Sequence, residues 1–311
     1  MGAPVARCSP EHGALGNGGP RQCNRPPSAK AVKHDHSARK TLRVWLDSQI
    51  SLFSPLSKPP SRMRTLQLPI RTEKPRSTGL TSLHDVNCSV GELRHILDDF
   101  HSFIDYAKLG VGTAYVMPNV QKKVELYHSM DVKVYLGGTL FEKFFGQGKV
   151  EDYMAFVRDL GVRTVEISAG SIDISLEERV RLIERFAGEV EVLSEVGSKD
   201  AEKIMPPSQW IHEIKSLRAA GSSYVITEGR NSGTAGVYRQ SGEIRTGLVA
   251  DIIKEVGADW LIFEAPTPKA QMFFINQVGA NVNLGNIPPH GVLILEAQRQ
   301  GLRKETFDMD H

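Results

Sequence analysis

Eight short apolar runs, most of them rich in β-branched residues, recur between residues 80 and 286, and helix-period segments lie between them. They are Leu80 to Asp85, Phe103 to Gly110, Val132 to Leu136, Thr164 to Ser168, Glu191 to Glu195, Tyr224 to Arg230, Trp260 to Ala265 and Val282 to Asn286. Runs this short, bounded by glycine, read as buried strands. Ser175-Leu176-Glu177-Glu178 is a capping box, opening a helix with Leu176, Val180, Ile183 and Phe186 on one face. Trp210 to Ala220, Leu248 to Val256, Ala270 to Val278 and Val292 to Gln300 are further helices, each stopped by a glycine. Strands that alternate with single helices pair in parallel. Eight of them in about 210 residues predict a (β/α)8 TIM barrel. An open doubly wound sheet is the alternative, but no Gly-x-Gly-x-x-Gly follows the first strand.

The strand ends carry the chemistry. In a parallel barrel they all face one mouth, and here they bear Asp85, Lys108, Thr139, Glu166, Glu195, Glu228 with Arg230, Glu264, and Asn283 with Asn286. An unpaired carboxylate entering a sheet interior costs several kcal/mol. Four successive strands closing on glutamate therefore predict a shared polar site rather than four separate surface accidents. Lys199 follows Glu195 by four residues, and a plain loop salt bridge is the bland reading of that pair taken alone. Four like charges around one mouth need cations among them: Lys108, Lys199, Arg230 and a divalent metal are the candidates. Hard oxygen donors without a His/Cys cluster favour Mg²⁺, with Asp85, Glu166, Glu195, Glu228 and Glu264 as candidate ligands. The glycine-rich loop Gly229 to Gly236, with Arg230, Ser232, Gly233 and Thr234, suits a phosphate or another oxyanion. Arg71, Lys74 and Arg76 either cover the mouth or are solvated.

Residues 1–62 differ from the rest. They hold ten Lys/Arg against three acids, a net +7, which leaves −5 for residues 63–311 of a chain whose total is +2. Such a Gly-, Pro- and Ser-rich segment buries too little to fold. It reads as a disordered extension, a transit peptide, or the product of an upstream start with Met63 opening the natural protein; Leu42 to Leu46 is its one amphipathic stretch. The acidic body argues against a nucleic-acid-binding face. No apolar run reaches the ~18 residues of a membrane span, and three widely spaced cysteines fit a reducing, cytoplasmic setting. Small molecules are the expected partners, with a homo-oligomer allowed.

The motifs together form a recognisable set. They include Arg71-Thr72-Glu73-Lys74-Pro75-Arg76, Asp105 to Thr113, Gly137-Gly138-Thr139-Leu140-Phe141-Glu142, Val165-Glu166-Ile167-Ser168 and Leu193 to Asp200. Ile226 to Gly233, Phe263-Glu264-Ala265-Pro266, Asn281 to Pro288 and Gly301 to Phe307 complete it. Residues 66–307 in this way resemble the phosphosulfolactate synthase family. The resemblance implies a Mg²⁺-dependent barrel enzyme that adds sulfite to phosphoenolpyruvate, giving (2R)-phospho-3-sulfolactate for coenzyme M or sulfolactate synthesis. It implies Lys199 as the acid that protonates C2, and Lys108, read from the strand ends, is a second candidate catalytic lysine. Arg230, Ser232, Gly233, Asn283 and Asn286 would bind substrate. Asn231 stands where the family usually has Glu, and Ala169 and Ser171 also depart from its usual residues. A plant heat-stress-associated relative of the family supplies a different expectation, a non-catalytic barrel acting through protein contacts. A lyase or aldolase acting on other phosphoenolpyruvate-like acids is a third.

Overall fold

The computed structural model describes residues 66–200, 205–230 and 232–308. The expectations placed on residues 1–62, including the Leu42 to Leu46 stretch, and the departure at Asn231 lie outside the described residues. Eight strands close into one parallel barrel in sequence order: β1 (Thr81–Asp85), β2 (Tyr106–Leu109), β3 (Lys133–Leu136), β4 (Thr164–Ile167), β5 (Glu191–Val196), β6 (Tyr224–Thr227), β7 (Leu261–Glu264) and β8 (Leu284–Ile287). Closure pairs Thr81 with Leu284 and Leu83 with Ile287, with an irregularity between them. The outer layer is α1 (Val90–Phe100), α2 (Thr113–Val116), α3 (Val120–Ser129), α4 (Gly138–Phe145), α5 (Val150–Asp159), α6 (Leu176–Phe186), α7 (Pro207–Ala219), α8 (Thr246–Val256), α9 (Pro268–Val278) and α10 (Val292–Arg299).

Local chemistry starts these helices. The Ser175 hydroxyl accepts the Glu178 amide at 3.1 Å, and Thr267 accepts that of Ala270. Both halves of a capping box are present at Ser89 and Glu92, ahead of α1.

Strand alternation divides the core in two. Outward residues such as Ala107, Leu109, Val134, Leu136, Val165 and Ile167 join the helix faces in one large apolar cluster. Inward residues form a smaller cluster of Leu80, Tyr106, Tyr135, Leu193, Ile226 and Ile262. This plug fills the barrel below its mouth, so Lys108, Glu166, Glu195, Glu228 and Glu264 form a polar layer on a dry floor.

The opposite end is closed by the segment before β1. Arg71 Nε pairs with Glu296 at 3.1 Å, and its other nitrogens donate to Ala280 O, Gly79 O and Asn281. Arg76 Nε pairs with Asp105 at 3.1 Å, and Lys74 Nζ donates to Ile104 O and Asp131 O. Apart from Glu296 on α10, these partners lie at the strand entrances, so the basic segment seals the bottom of the barrel and does not cover the mouth. Asn283 also belongs here: its Oδ1 accepts the Leu80 amide (3.0 Å), and its Nδ2 donates to Asp259 O and Leu261 O. Its expected substrate role is corrected to one of stitching β8 to its neighbours.

Candidate active site

A cavity of about 300 Å³ opens at the carboxyl ends of the strands, at the small end of the usual range for small-molecule sites. Its wall brings together Lys108, Glu166, Glu195, Lys199, Glu228, Arg230, Ser232, Glu264 and Asn286 from the ends of six of the eight strands and the loops after β5 and β6. Alternation explains the convergence. Lys108, Glu195, Glu228 and Glu264 each sit one layer above an inward residue of the plug, Tyr106, Leu193, Ile226 and Ile262 respectively, whereas Asn286 follows the outward Leu284 and stands at a left-handed φ of 55°.

Two ammonium groups organise the carboxylates. Lys108 Nζ lies 2.8 Å from Glu264, 3.1 Å from Glu166 and 3.9 Å from Glu195. Lys199 Nζ lies 3.6 Å from Glu195, 3.8 Å from Glu228 and 3.6 Å from Glu142. Backbone amides hold the remaining oxygens: Gly138 N donates to Glu166 (2.9 Å), Gly229 N to Glu264 (2.8 Å) and Arg230 N to Glu228 (2.6 Å). Burial would lower the pKa of Lys108, yet Glu166 and Glu264 outweigh it and hold the value well above the ordinary lysine range. The same balance raises Lys199, through Glu195, Glu228 and Glu142.

Among the carboxylates the burden is unequal. Burial, only partly offset by Lys108, pushes Glu166 up to about 7. Burial, reinforced by Glu195 and Glu264, raises Glu228 well above the carboxylate range. Burial would raise Glu195 too, but Lys199, Lys108 and hydrogen bonding with Glu228 and Glu166 hold it low. The carboxylates thus bear the burial unevenly, and a divalent cation bound among them would compete with protons for the same oxygens.

The donor set fits Mg²⁺ in kind. Glu166 Oε2, Glu195 Oε1 and Glu228 Oε2 are buried hard oxygens that face the Lys108 and Lys199 ammonium groups at 3.1 to 3.8 Å without making a well-formed hydrogen bond among the described residues. No three His, Cys, Asp or Glu side chains among those residues stand as a ready cage. Mg²⁺ needs none, because it commonly takes one or two carboxylates and keeps several waters.

Three expected site residues lie elsewhere. Asn283 is at the far end, as described above. Asp85 points outward from β1, where it is fully buried, paired with Lys123 Nζ at 2.9 Å, and accepts from Tyr127 Oη (2.8 Å) and Cys88 N (3.1 Å). Its lone pairs are committed, so the expectation of a metal ligand is corrected to a structural anion between sheet and helices. Gly233 turns the β6 loop at a φ of 63° and packs against Pro266 and Tyr238, outside the cavity wall. Two groups went unread in the sequence. His84, the inward neighbour of Asp85, lines the cavity. Glu142 of α4 accepts from Ser168 Oγ, Gly170 N (2.9 Å) and Ser171 N (2.8 Å) while facing Lys199, so it ties the β4 loop to that lysine.

A closed parallel barrel with a charged cavity at the carboxyl ends of its strands defines a (β/α)8-barrel enzyme. Residues 69–305 match the (2R)-phospho-3-sulfolactate synthase family. The phosphosulfolactate synthase of Bacillus subtilis (strain 168) is 39% identical over 246 residues, 78% of this chain and 98% of its own length. That of Methanothermobacter thermautotrophicus is 39% identical over 245 residues, 77% and 95% of the two chains. Protein HEAT-STRESS-ASSOCIATED 32 of Arabidopsis thaliana is 24% identical over 246 residues, 69% and 83% of the two chains. The chain belongs to the phosphosulfolactate synthase family.

Proposed function

We propose that this protein adds sulfite to phosphoenolpyruvate, forming (2R)-phospho-3-sulfolactate in a Mg²⁺-dependent reaction. The observation that carries the reading is the meeting of Lys108 and Lys199 with buried glutamates in one small cavity. Sulfite sulfur would bond to the methylene carbon C3, the C2–C3 π pair would move toward the carboxylate, and C2 would then take one proton. Mg²⁺ held by Glu166, Glu195 and Glu228, with Glu264 beside them, would supply positive charge opposite that carboxylate. A cation would ease the entry of two anionic substrates into a mouth where four glutamates stand beside Lys108, Lys199 and Arg230.

Lys199 is the proton donor in this reading. Its side chain is 22% exposed to the cavity, whereas that of Lys108 is 8% exposed and clasped between Glu264 and Glu166. Lys108 instead holds those two glutamates in place as charge shifts. Arg230 and Ser232, on the β6 loop at the rim, would hold the phosphate.

The placement of Lys199 gives a test of its own. A Cβ on Gly170 would come within 2.9 Å of Lys199 Cγ, Cδ and Cε. Gly170→Ala is expected to displace the ammonium and cut turnover about tenfold to a hundredfold, with the melting temperature nearly unchanged. Turnover equal to wild type would show that the stem position does not matter.

The overall test is to incubate purified protein with Mg²⁺, phosphoenolpyruvate and sulfite and to follow phosphosulfolactate by mass spectrometry. Product that depends on both substrates and is lost with a chelator is expected. The alternative, a barrel working through protein contacts under heat stress, draws on the 24% identical plant relative. A scaffold has no need for this buried charge, which only costs it stability. No product under any condition would favour that alternative.

A further inference from the structure

Glu142 is a carboxylate on α4, 2% exposed and preceded by the buried Leu140 and Phe141. An acid in such a place costs several kcal/mol unless it is paired and hydrogen-bonded. Its partners among the described residues come from two loops. Ser168 Oγ and Gly170 N (2.9 Å) donate to Oε1, Ser171 N (2.8 Å) donates to Oε2, and Lys199 Nζ stands 3.6 Å from Oε1. Glu142 does not line the cavity, and both its oxygens are taken by donors, so it is neither a metal ligand nor a substrate contact.

The segment that Glu142 holds is the one on which Lys199 rests. A Cβ on Gly170 would lie 2.9 Å from the Cγ, Cδ and Cε atoms of Lys199, so the lysine stem runs along this backbone. The Lys199 amide donates to Gly170 O at 3.4 Å, joining the loop after β4 to the loop after β5. One turn earlier on the same helix, Gly138 N donates to Glu166 at 2.9 Å. Gly138 also permits the close approach, since a Cβ there would collide with the side chains of Ser168 and Glu166. Residues four apart share a helix face. One rigid face of α4 therefore holds both a carboxylate of the proposed metal site and the loop under the lysine stem.

We infer that Glu142 is a positioning residue: through the loop after β4 it sets where the Lys199 ammonium stands relative to Glu166. This rests on the proton-donor role proposed above for Lys199. A misplacement of about 1 Å at a reacting group can cost about a hundredfold in rate, and nothing else on α4 contacts that loop backbone through a side-chain acceptor. Loss of Glu142 therefore slows the protonation of C2 and leaves the binding of phosphoenolpyruvate and Mg²⁺ as it was.

The test compares Glu142→Gln and Glu142→Ala in full-length protein, alone and combined with Lys199→Ala. Glutamine matches the shape and keeps one acceptor, but it turns an N–H toward a loop donor and loses the attraction for Lys199; it serves if the alanine variant does not fold. The kcat should fall about tenfold with glutamine and about a hundredfold with alanine. The KM for phosphoenolpyruvate and the Mg²⁺ concentration for half-maximal turnover should each stay within about twofold. On the Lys199→Ala background, Glu142→Gln should cost no more than about twofold, because a residue that works through Lys199 has nothing left to place. An equal loss on both backgrounds, or a loss in KM rather than kcat, overturns the inference. Hydrogen exchange read by mass spectrometry needs no turnover and separates this inference from the reaction it rests on. Exchange about tenfold faster at residues 169–172 and 197–200 in the glutamine variant, with β5 unchanged, supports the link even if no product forms. Unchanged exchange at residues 197–200 overturns it, and so does wild-type kcat in the glutamine variant, which keeps the reaction and removes the positioning role.

Discussion

Lys199→Ala is expected to lower turnover by about three orders of magnitude and to leave the barrel folded. Removing a positioned general acid typically costs about 10²- to 10⁴-fold, and the local geometry gives no substitute. Lys108 is the other ammonium in the wall, and its nitrogen is clasped by Glu264 at 2.8 Å and Glu166 at 3.1 Å. Lys199 stands on the loop after β5, held by Glu142, Glu195 and Glu228 at 3.6 to 3.8 Å. Those distances restrain the ammonium without locking it. The fold should survive because the side chain is part-exposed, and the carboxylates it leaves can take up a proton, as Glu228 already tends to. Steady-state rates together with a thermal melt check the prediction. A variant within a few-fold of wild type would show that C2 receives its proton from another group.

Lys123→Met is expected to produce the largest stability loss of any single change near the site, about 3–5 kcal/mol. Lys123 and Asp85 are both fully buried, 2.9 Å apart, and Tyr127 and the Cys88 amide complete the Asp85 shell. Methionine matches the lysine stem in volume but leaves Asp85 as an uncompensated buried charge. At roughly 2–4 °C per kcal/mol for a domain of this size, the melting temperature should fall by about 10 °C. Asp85→Asn should also destabilise while leaving the Mg²⁺ concentration for half-maximal turnover unchanged. An Asp85→Asn protein of wild-type stability with a shifted Mg²⁺ requirement would restore that residue to the metal site.

Asp85 and His84 show what the sequence makes legible and what it hides. The four glutamates stand out because a carboxylate closing an apolar strand conflicts with burial, and only convergence resolves the conflict. Asp85 carries the same conflict, but its solution is Lys123 on α3, a contact that spacing along the chain does not reveal. Strict alternation would have made the distinction, since Leu83 and Asp85 share the outward face and His84 lies between them. A histidine inside an apolar strand ordinarily reads as core, so His84 passed unnoticed. Glu142 was hidden for a related reason: it lies on a helix, and its partners are backbone amides of another loop. A buried acid in the apolar stretch Leu140, Phe141, Glu142 was the available signal. Arg71 and Asn283 were misplaced because a basic or amide side chain near a strand carries no mark of which barrel end it serves.

The most direct measurement is turnover in D₂O with phosphoenolpyruvate, sulfite and Mg²⁺, with deuterium at C2 read by NMR and the product enantiomers separated by chiral chromatography. One deuterium at C2, in a single stereoisomer, is the expected result, because one protein group delivers the proton to one face. Absence of phosphosulfolactate, or a product deuterated equally on both faces of C2, would contradict a barrel whose own lysine completes the addition.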